Sequence, residues 1–407
     1  MSTCEGRDRV GLARALTHPP VAAFVATRVP LWVASYLCLR WFPTHTILSW
    51  QADAFPGNDW LNGWVRWDAM WYESLVDSHA PWLPPQHSGA NFFPFYAWAA
   101  WLASLPLRLV LRGDAAFYIG GLVLSHAAFL AGLIGVYRLA AIQADRGTAA
   151  RTVWLIAFFP FSFFFSAVYS DALYFCLAVW CFVLARAGQW PGASACASAA
   201  AMTRVPGLAL YPALAAEFLI AWRRRPTQDA FDARSFFGSA FILLGGPAVI
   251  AAYYGLRYGH PLAFIAARQA GWQRATGLAA LTSDVRELTA GALLACGTVA
   301  ECLKGWDLTR HLLGYWYLAL VPASALLTWT ARRVVGVGPT VWVMASLAMA
   351  LANGLDGMGR FTAVLFPAFI GAALIVRRPA WVAVVCAAFT PFLLLFTAQF
   401  ARWRPVL

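Results

Sequence analysis

The residues best suited to chemistry lie between Leu61 and His79. At 100° per residue Trp64, Trp67, Trp71 and Leu75 share one stripe of a helix, while Arg66, Glu73 and Asp77 fall on its far side. Along one edge of the stripe run Asp68, Tyr72 and His79, at i, i+4 and i+11, presented toward one space. Tryptophan belongs at lipid-headgroup depth, so the spacing predicts an interfacial helix floated on its indoles with its polar side in water. A carboxylate held there suits transfer of a sugar from a lipid-linked phosphate to a hydroxyl. The phosphate departs without acid help, and the hydroxyl, with its high pKa, needs a general base. Asp68 is the candidate base; the alternative is a solvated loop carboxylate. Glu73 and Asp77 read as solvated face residues, and Asp53 and Asp59 share the loop without periodicity and are not ranked.

Two arginines stand out elsewhere. Arg204 sits in an otherwise apolar stretch, which is costly unless it faces a cavity or a phosphate; its alternative is a helix-end anchor. Arg360, between Gly359 and Phe361 at an expected outer turn, has the planar fork that grips a phosphate, or is an interfacial anchor. Tyr169 and Asp171 flank Ser170 in a non-helical joint, and irregular backbone at membrane depth is tolerated where it lines a cavity. His126, alone with Ser125 in an apolar run, reads as an interhelical hydrogen bond. The histidines make no HxxxH or HxxE arrangement and the acidic residues no DxD, so no metal is expected. Gly120-Gly121 and Gly245-Gly246 read as helix-packing points.

The elements that must position these residues are set by composition. Of 407 residues 61% are hydrophobic and 12% charged, with a mean hydropathy of +0.62. A soluble domain needs roughly a quarter charged residues, so a soluble fold is excluded. At roughly 20 residues per crossing there is room for about ten to twelve transmembrane helices and little else. The apolar runs are too long and too rich in Ala and Leu for an outer-membrane barrel, and the class is all-α polytopic. The net charge of +12 comes almost wholly from arginines clustered at the ends of apolar runs. That placement points to topology anchors rather than nucleic-acid binding. The cysteines form no CxxC; only Cys296 and Cys302 are candidates for a pair.

Arg7, Arg9 and Arg14 precede an apolar run from Val21 to Leu39, the layout of a signal anchor with a cytoplasmic N-terminus. Arg223 to Arg225, Arg332 with Arg333, and Arg377 with Arg378 cap later runs and are expected inside. A first outer loop over about 40–91 and a second over about 257–310 follow, within a single membrane domain spanning 1–407. Between Asn91 and Arg223 the number of crossings depends on whether the run broken at Pro206 is one kinked helix or two, so the side of Tyr169 to Asp171 stays open.

Several of these segments together bring a family into view. Arg66-Trp67-Asp68-Ala69 with Trp71-Tyr72 resembles the WD signature of the PIG-V family of GPI-anchor mannosyltransferases and their bacterial relatives. Asn91 to Tyr96 is similar to that family's FFP-type helix entry, and Ser166 to Leu173 to its YSEAL or YTESL. Thr203 to Leu208 is similar to its arginine and glycine turn. Tyr258 to Phe264, and Gly359-Arg360-Phe361 with Phe366-Pro367, resemble two later landmarks. The resemblance implies a multipass GT-C glycosyltransferase of the cell membrane, inverting and metal-independent, with no cofactor. It implies mannose taken from polyprenyl-phosphate-mannose on the extracytoplasmic face and passed to a lipid or glycan acceptor. Asp68 is then the base. Trp67, Trp71, Tyr72, His79, Tyr169, Asp171, Arg204, His260 and Arg360 are expected around the substrates. Asp171 stands where eukaryotic members have Glu, and His260 where a small acidic or polar residue is expected; both bear on the acceptor. The rival readings are a GT-C transferase of another sugar, or a transporter or flippase of lipid-linked sugars, which would have no use for the acidic, Trp-rich first loop.

Overall fold

The computed structural model describes residues 18–46, 51–77, 89–111, 113–223, 233–271, 277, 279–286, 306–404 and 406, with backbone alone for 233–237, 268–271 and 306–312. His79, Arg224, Arg225, Cys296 and Cys302 lie outside the described residues or side chains. Everything regular in the described chain is helical. In chain order the helices are α1 (Pro19–Trp41), α2 (Asp59–Asn62), α3 (Asp68–Ser74), α4 (Phe95–Ser104), α5 (Ala115–Gln143), α6 (Arg146–Phe158), α7 (Ser170–Arg186) and α8 (Trp190–Thr203). They continue as α9 (Leu210–Arg223), α10 (Ala233–Tyr258), α11 (Ala263–Gly271), α12 (Trp306–Val335), α13 (Val337–Leu351), α14 (Met358–Ala363), α15 (Phe366–Ile375) and α16 (Pro379–Ala401).

Among the described residues five stretches are long and apolar enough to cross a membrane: Pro19–Trp41, Ala115–Gln143, Val205–Arg223, Gly238–Tyr258 and Pro379–Ala401. Several runs that read as continuous crossings are instead cut into shorter helices. The apolar run from Thr152 to Ala167 divides into the end of α6 and a 3₁₀ turn at Ser162–Ser166, with α7 following as the next run. Pro160 has no N–H to continue the ladder beyond Phe158, and Arg28 bonds carbonyls on both sides of the break. That arginine, 2% exposed in the middle of α1, donates to the Ser162 carbonyl at 2.7 Å and the Ala157 carbonyl at 3.1 Å. It also donates to Ser162 Oγ at 2.9 Å and lies over the Phe129 ring. Likewise the run at Pro206 is two helices joined by a 3₁₀ turn, Val205–Ala209. The core is built by α5 against α4, α6 and α7, α7 against α8, and α8 against α10, with α12 packed on α15.

Small residues allow the close crossings. A Cβ on Gly120 would meet the Ala100 and Ser104 backbone, and one on Gly246 the Ser198 backbone, whereas Gly245 faces open space and is not the packing point its pairing suggested. His126 makes the expected interhelical bond: its Nε2 accepts from Trp32 Nε1 at 3.0 Å while Nδ1 contacts the Leu122 carbonyl at 2.8 Å.

The predicted interfacial helix is the main correction to the fold. Residues 61–77 form two short helices, α2 and α3, separated by a turn whose last residue, Trp67, has φ +50°. The tryptophan stripe faces protein instead of lipid. Trp64 is fully buried beside Trp32, and Trp67 meets Trp403 edge to face. Arg66, assigned to the wet side, is fully buried, bonded to the Ala401 carbonyl at 2.8 Å and to Asp53 at 3.0 Å, with its guanidinium over Trp403. Periodicity finds an amphipathic stripe but does not say whether lipid or another helix covers it.

Candidate active site

Four charged side chains, each at or near the start or end of a helix, meet in one chain. Trp67 is the N-cap of α3, and its unusual backbone turns Asp68 inward as the helix begins. The Asp68 amide donates to Tyr169 Oη at 3.2 Å, and its carboxylate accepts from Arg360 Nη1 at 2.9 Å. Arg360 in turn donates from Nη2 to Asp171 Oδ2 at 2.9 Å, and Asp171 Oδ1 accepts from Arg204 Nη1. Tyr72, one turn after Asp68, donates to Ser170 Oγ at 2.7 Å, which ties α3 to the start of α7.

Burial explains the pairing. The Asp171 side chain is 1% exposed, and those of Asp68, Arg204 and Arg360 are each near one-tenth. Unpaired charges at such depth would be prohibitive, and two carboxylates with two guanidiniums cancel formally. Arg360 is also sandwiched, with its Cζ 4.6 Å from the Tyr169 ring and 4.9 Å from that of Phe164, and Arg204 lies 4.9 Å from Phe361. For Asp68, burial pushes the carboxyl above the ordinary carboxylate range, although Arg360 pulls it down. The carboxylate that results is a better proton acceptor than a solvated one.

Asp68, Tyr72, Arg204 and Arg360 open on a cavity of about 240 Å³ whose lining also includes Asn91, Phe92, Asn353 and Asp356. Tyr169 and Asp171 stand behind it as partners of the lining residues. Other expected residues are not in the lining. Trp71 stacks on Phe92, and Trp67 packs away on Trp403. His260 is exposed, its Nδ1 accepting the Leu262 amide at 3.1 Å, while its near neighbour Phe264 reaches the cavity. Arg360 lies within helix α14 and not at a turn. Arg204 does occupy a non-helical joint, with φ −154° and ψ 147° between α8 and the 3₁₀ turn.

Glu73 and Asp77 are half-buried rather than fully solvated, and burial, with Asp114 and Asp77 nearby, pushes the Glu73 carboxyl up to about 7. Asp53 is settled as the partner of Arg66. The residues missed in the sequence are Asn353 and Asp356. Their signal was the pair of turn dipeptides Asn353-Gly354 and Asp356-Gly357 set between an apolar helix and Arg360.

A search of curated proteins finds no match to the chain. Among solved structures it is similar to the Archaeoglobus fulgidus oligosaccharyltransferase crystallised with zinc and sulfate, at 17% identity and a TM-score of 0.40, covering 92% of this chain and 53% of that one. It is also similar to the archaeal oligosaccharyltransferase from Archaeoglobus fulgidus in complex with an inhibitory peptide and a dolichol-phosphate, at 13% identity and a TM-score of 0.45, covering 94% of this chain and 56% of that one. The chain thus spans a little over half the length of the solved structures it matches. The segment that holds Asp68, Tyr72, Tyr169, Asp171 and Arg204 carries a family match of its own: residues 44–222, a little under half of the chain, match the model of the mannosyltransferase (PIG-V) family.

Proposed function

We propose that the chain is an inverting glycosyltransferase that moves mannose from polyprenyl-phosphate-mannose to a lipid or glycan acceptor on the extracytoplasmic face of the cell membrane. The observation that carries this reading is the unequal use of the two arginines. Arg360 spends both edges of its fork on Asp68 and Asp171, whereas Arg204 spends Nη1 on Asp171 and has no other polar partner among the described residues. Arg204 lines the cavity beside Asp68 with donors to offer a phosphate. The acceptor hydroxyl attacks the anomeric carbon as the C–O bond to phosphate breaks on the far face, Asp68 takes the hydroxyl proton, and Arg204 meets the charge growing on the phosphate. Arginine supplies that charge, so the step runs without a divalent ion. The family match over 44–222 supports the transferase class and the mannosyl group.

The deciding experiment is turnover by purified protein in lipid nanodiscs, using polyprenyl-phosphate-mannose labelled in the sugar and a membrane lipid extract as acceptor, with and without excess EDTA. Labelled product of inverted anomeric configuration, formed equally in both arms, is expected. Transfer only from a glucose or arabinose donor overturns the donor assignment. Activity lost in chelator and restored by a divalent ion overturns the metal-free step, and passage of the lipid across the bilayer without transfer overturns the enzyme reading.

A further inference from the structure

The cavity has a polar element that the transfer chemistry does not use. Between α13 and α14 the chain turns through Asn353-Gly354-Leu355-Asp356-Gly357, with Gly354 at φ +94° and Gly357 at φ +78°. A side chain at either glycine would be strained, and at Gly354 it would also strike the Asp284 carboxylate. That carboxylate accepts the Leu355 amide at 2.6 Å, and the Gly277 amide donates to the Ala352 carbonyl at 2.8 Å. The second outer segment therefore clamps the turn from two sides. So held, the turn brings Asn353 and Asp356 into the lining of the cavity that Asp68 and Arg204 share.

The amide orientation of Asn353 is fixed. Its Nδ2 donates to the Met349 carbonyl at 2.8 Å, which leaves Oδ1 as the group that can accept from a ligand. The Asp356 carboxylate is acceptor-only and has several lone-pair sites. Acceptors on a rigid turn, beside the aromatic surface of Phe92 and Phe93, suit a ligand with several hydroxyls on one face and C–H groups on the other. The volume of about 240 Å³ leaves room for a sugar ring beside these groups.

We propose that the Asn353–Gly357 turn is the shelf that recognises the hydroxyls of the sugar being transferred, with Asn353 Oδ1 and the Asp356 carboxylate as the accepting groups. This rests on the donor reading above and adds the residues that read its sugar. The test compares the affinity of nanodisc-embedded protein for polyprenyl-phosphate-mannose with that for polyprenyl phosphate lacking the sugar. Wild-type protein should prefer the sugar-bearing lipid. Asn353→Ala should reduce that preference about fivefold and the isosteric Asp356→Asn about tenfold, in line with one neutral and one charged hydrogen bond. Affinity for the bare lipid phosphate should stay unchanged in both variants, which also serves as the control for folding. A preference that survives in both variants overturns the shelf and leaves the donor reading standing. Equal binding of the two lipids by wild-type protein overturns both.

Discussion

Exchanging the two site carboxylates one at a time separates the residue that handles the proton from the one that holds the site together. Asp68 accepts one bond, from Arg360 at 2.9 Å, and Arg360 keeps Asp171 as its counter-charge when Asp68 is neutralised. A carboxamide at position 68 can still accept that bond through its oxygen, so Asp68→Asn should cost only about 1 kcal/mol of stability. Among the described residues Asp171 is the sole carboxylate contacting Arg204 and the second contacting Arg360. Asp171→Asn therefore leaves Arg204 with no carboxylate in contact among the described residues and Arg360 with Asp68 alone, a loss of about 3–5 kcal/mol. Turnover should behave in the opposite way. Asp68→Asn removes the proposed base and should lower kcat by about two to four orders of magnitude, while the correctly folded fraction of Asp171→Asn keeps it. Because burial holds the Asp68 carboxyl above the ordinary range, the acid limb of the wild-type rate profile should also lie above that range, activity rising as Asp68 ionises. Denaturation in detergent micelles and labelled-mannose turnover, measured on the same preparations, provide the comparison. Near-normal turnover in Asp68→Asn, equal destabilisation by the two variants, or equal loss of activity in Glu73→Gln would refute this division of roles.

Arg204→Lys should weaken donor binding nearly as much as Arg204→Ala, since an ammonium cannot reproduce the fork, and unchanged affinity measured in Arg204→Lys would return the residue to an anchor. A carboxyl raised to about 7 at Glu73 binds its proton more tightly in the folded than in the unfolded chain, where 4.5 is ordinary. Its ionisation then opposes folding, so stability measured by thermal melting should fall as pH climbs from about 4.5 to about 7, and Glu73→Gln should flatten that fall; an unchanged slope would remove Glu73 as its source. For topology, a membrane-impermeant thiol reagent on intact cells should label His260→Cys but not Arg378→Cys, both exposed positions; the reverse pattern would invert the assignment of faces.

How much of this was legible in the sequence depended on what each signal reports. Hydropathy gave the helical membrane class because 61% hydrophobic residues in long runs leave no other architecture, but it does not show that the run from Thr152 to Ala167 stops being α-helical after Phe158. Arg204 was legible because a charge in an apolar run is costly and needs a partner, Asp68 and Tyr72 because they share one edge of a helical stripe, and Tyr169, Asp171 and Arg360 because they stand at expected breaks in the helices. That each would be the other's partner was not legible, since Asp68 and Arg360 are far apart in the chain and nothing local couples them. Arg66 fell on the wrong side because its partners, the Ala401 carbonyl and Trp403, lie at the other end of the sequence. His260 was singled out by its place in a motif, and its ring only closes a local turn.

The four charges share a backbone context that accounts for their meeting. Asp68 follows Trp67 at φ +50°, Asp171 follows the extended Tyr169 at the first turn of α7, Arg204 is itself extended after α8, and Arg360 follows the Gly354–Gly357 turn. Each sits at or within a turn of a helix end, and such ends leave unpaired N–H and C=O groups that lipid cannot satisfy. Bundling the ends inside the protein answers that cost, and the cavity they surround is lined by polar side chains that a phosphate and a sugar can use. The same breaks that shorten the apparent crossings therefore make the site. Pro206 lies two residues from Arg204 and Gly354 six from Arg360, so replacing either with a helix former acts on the site through its arginine.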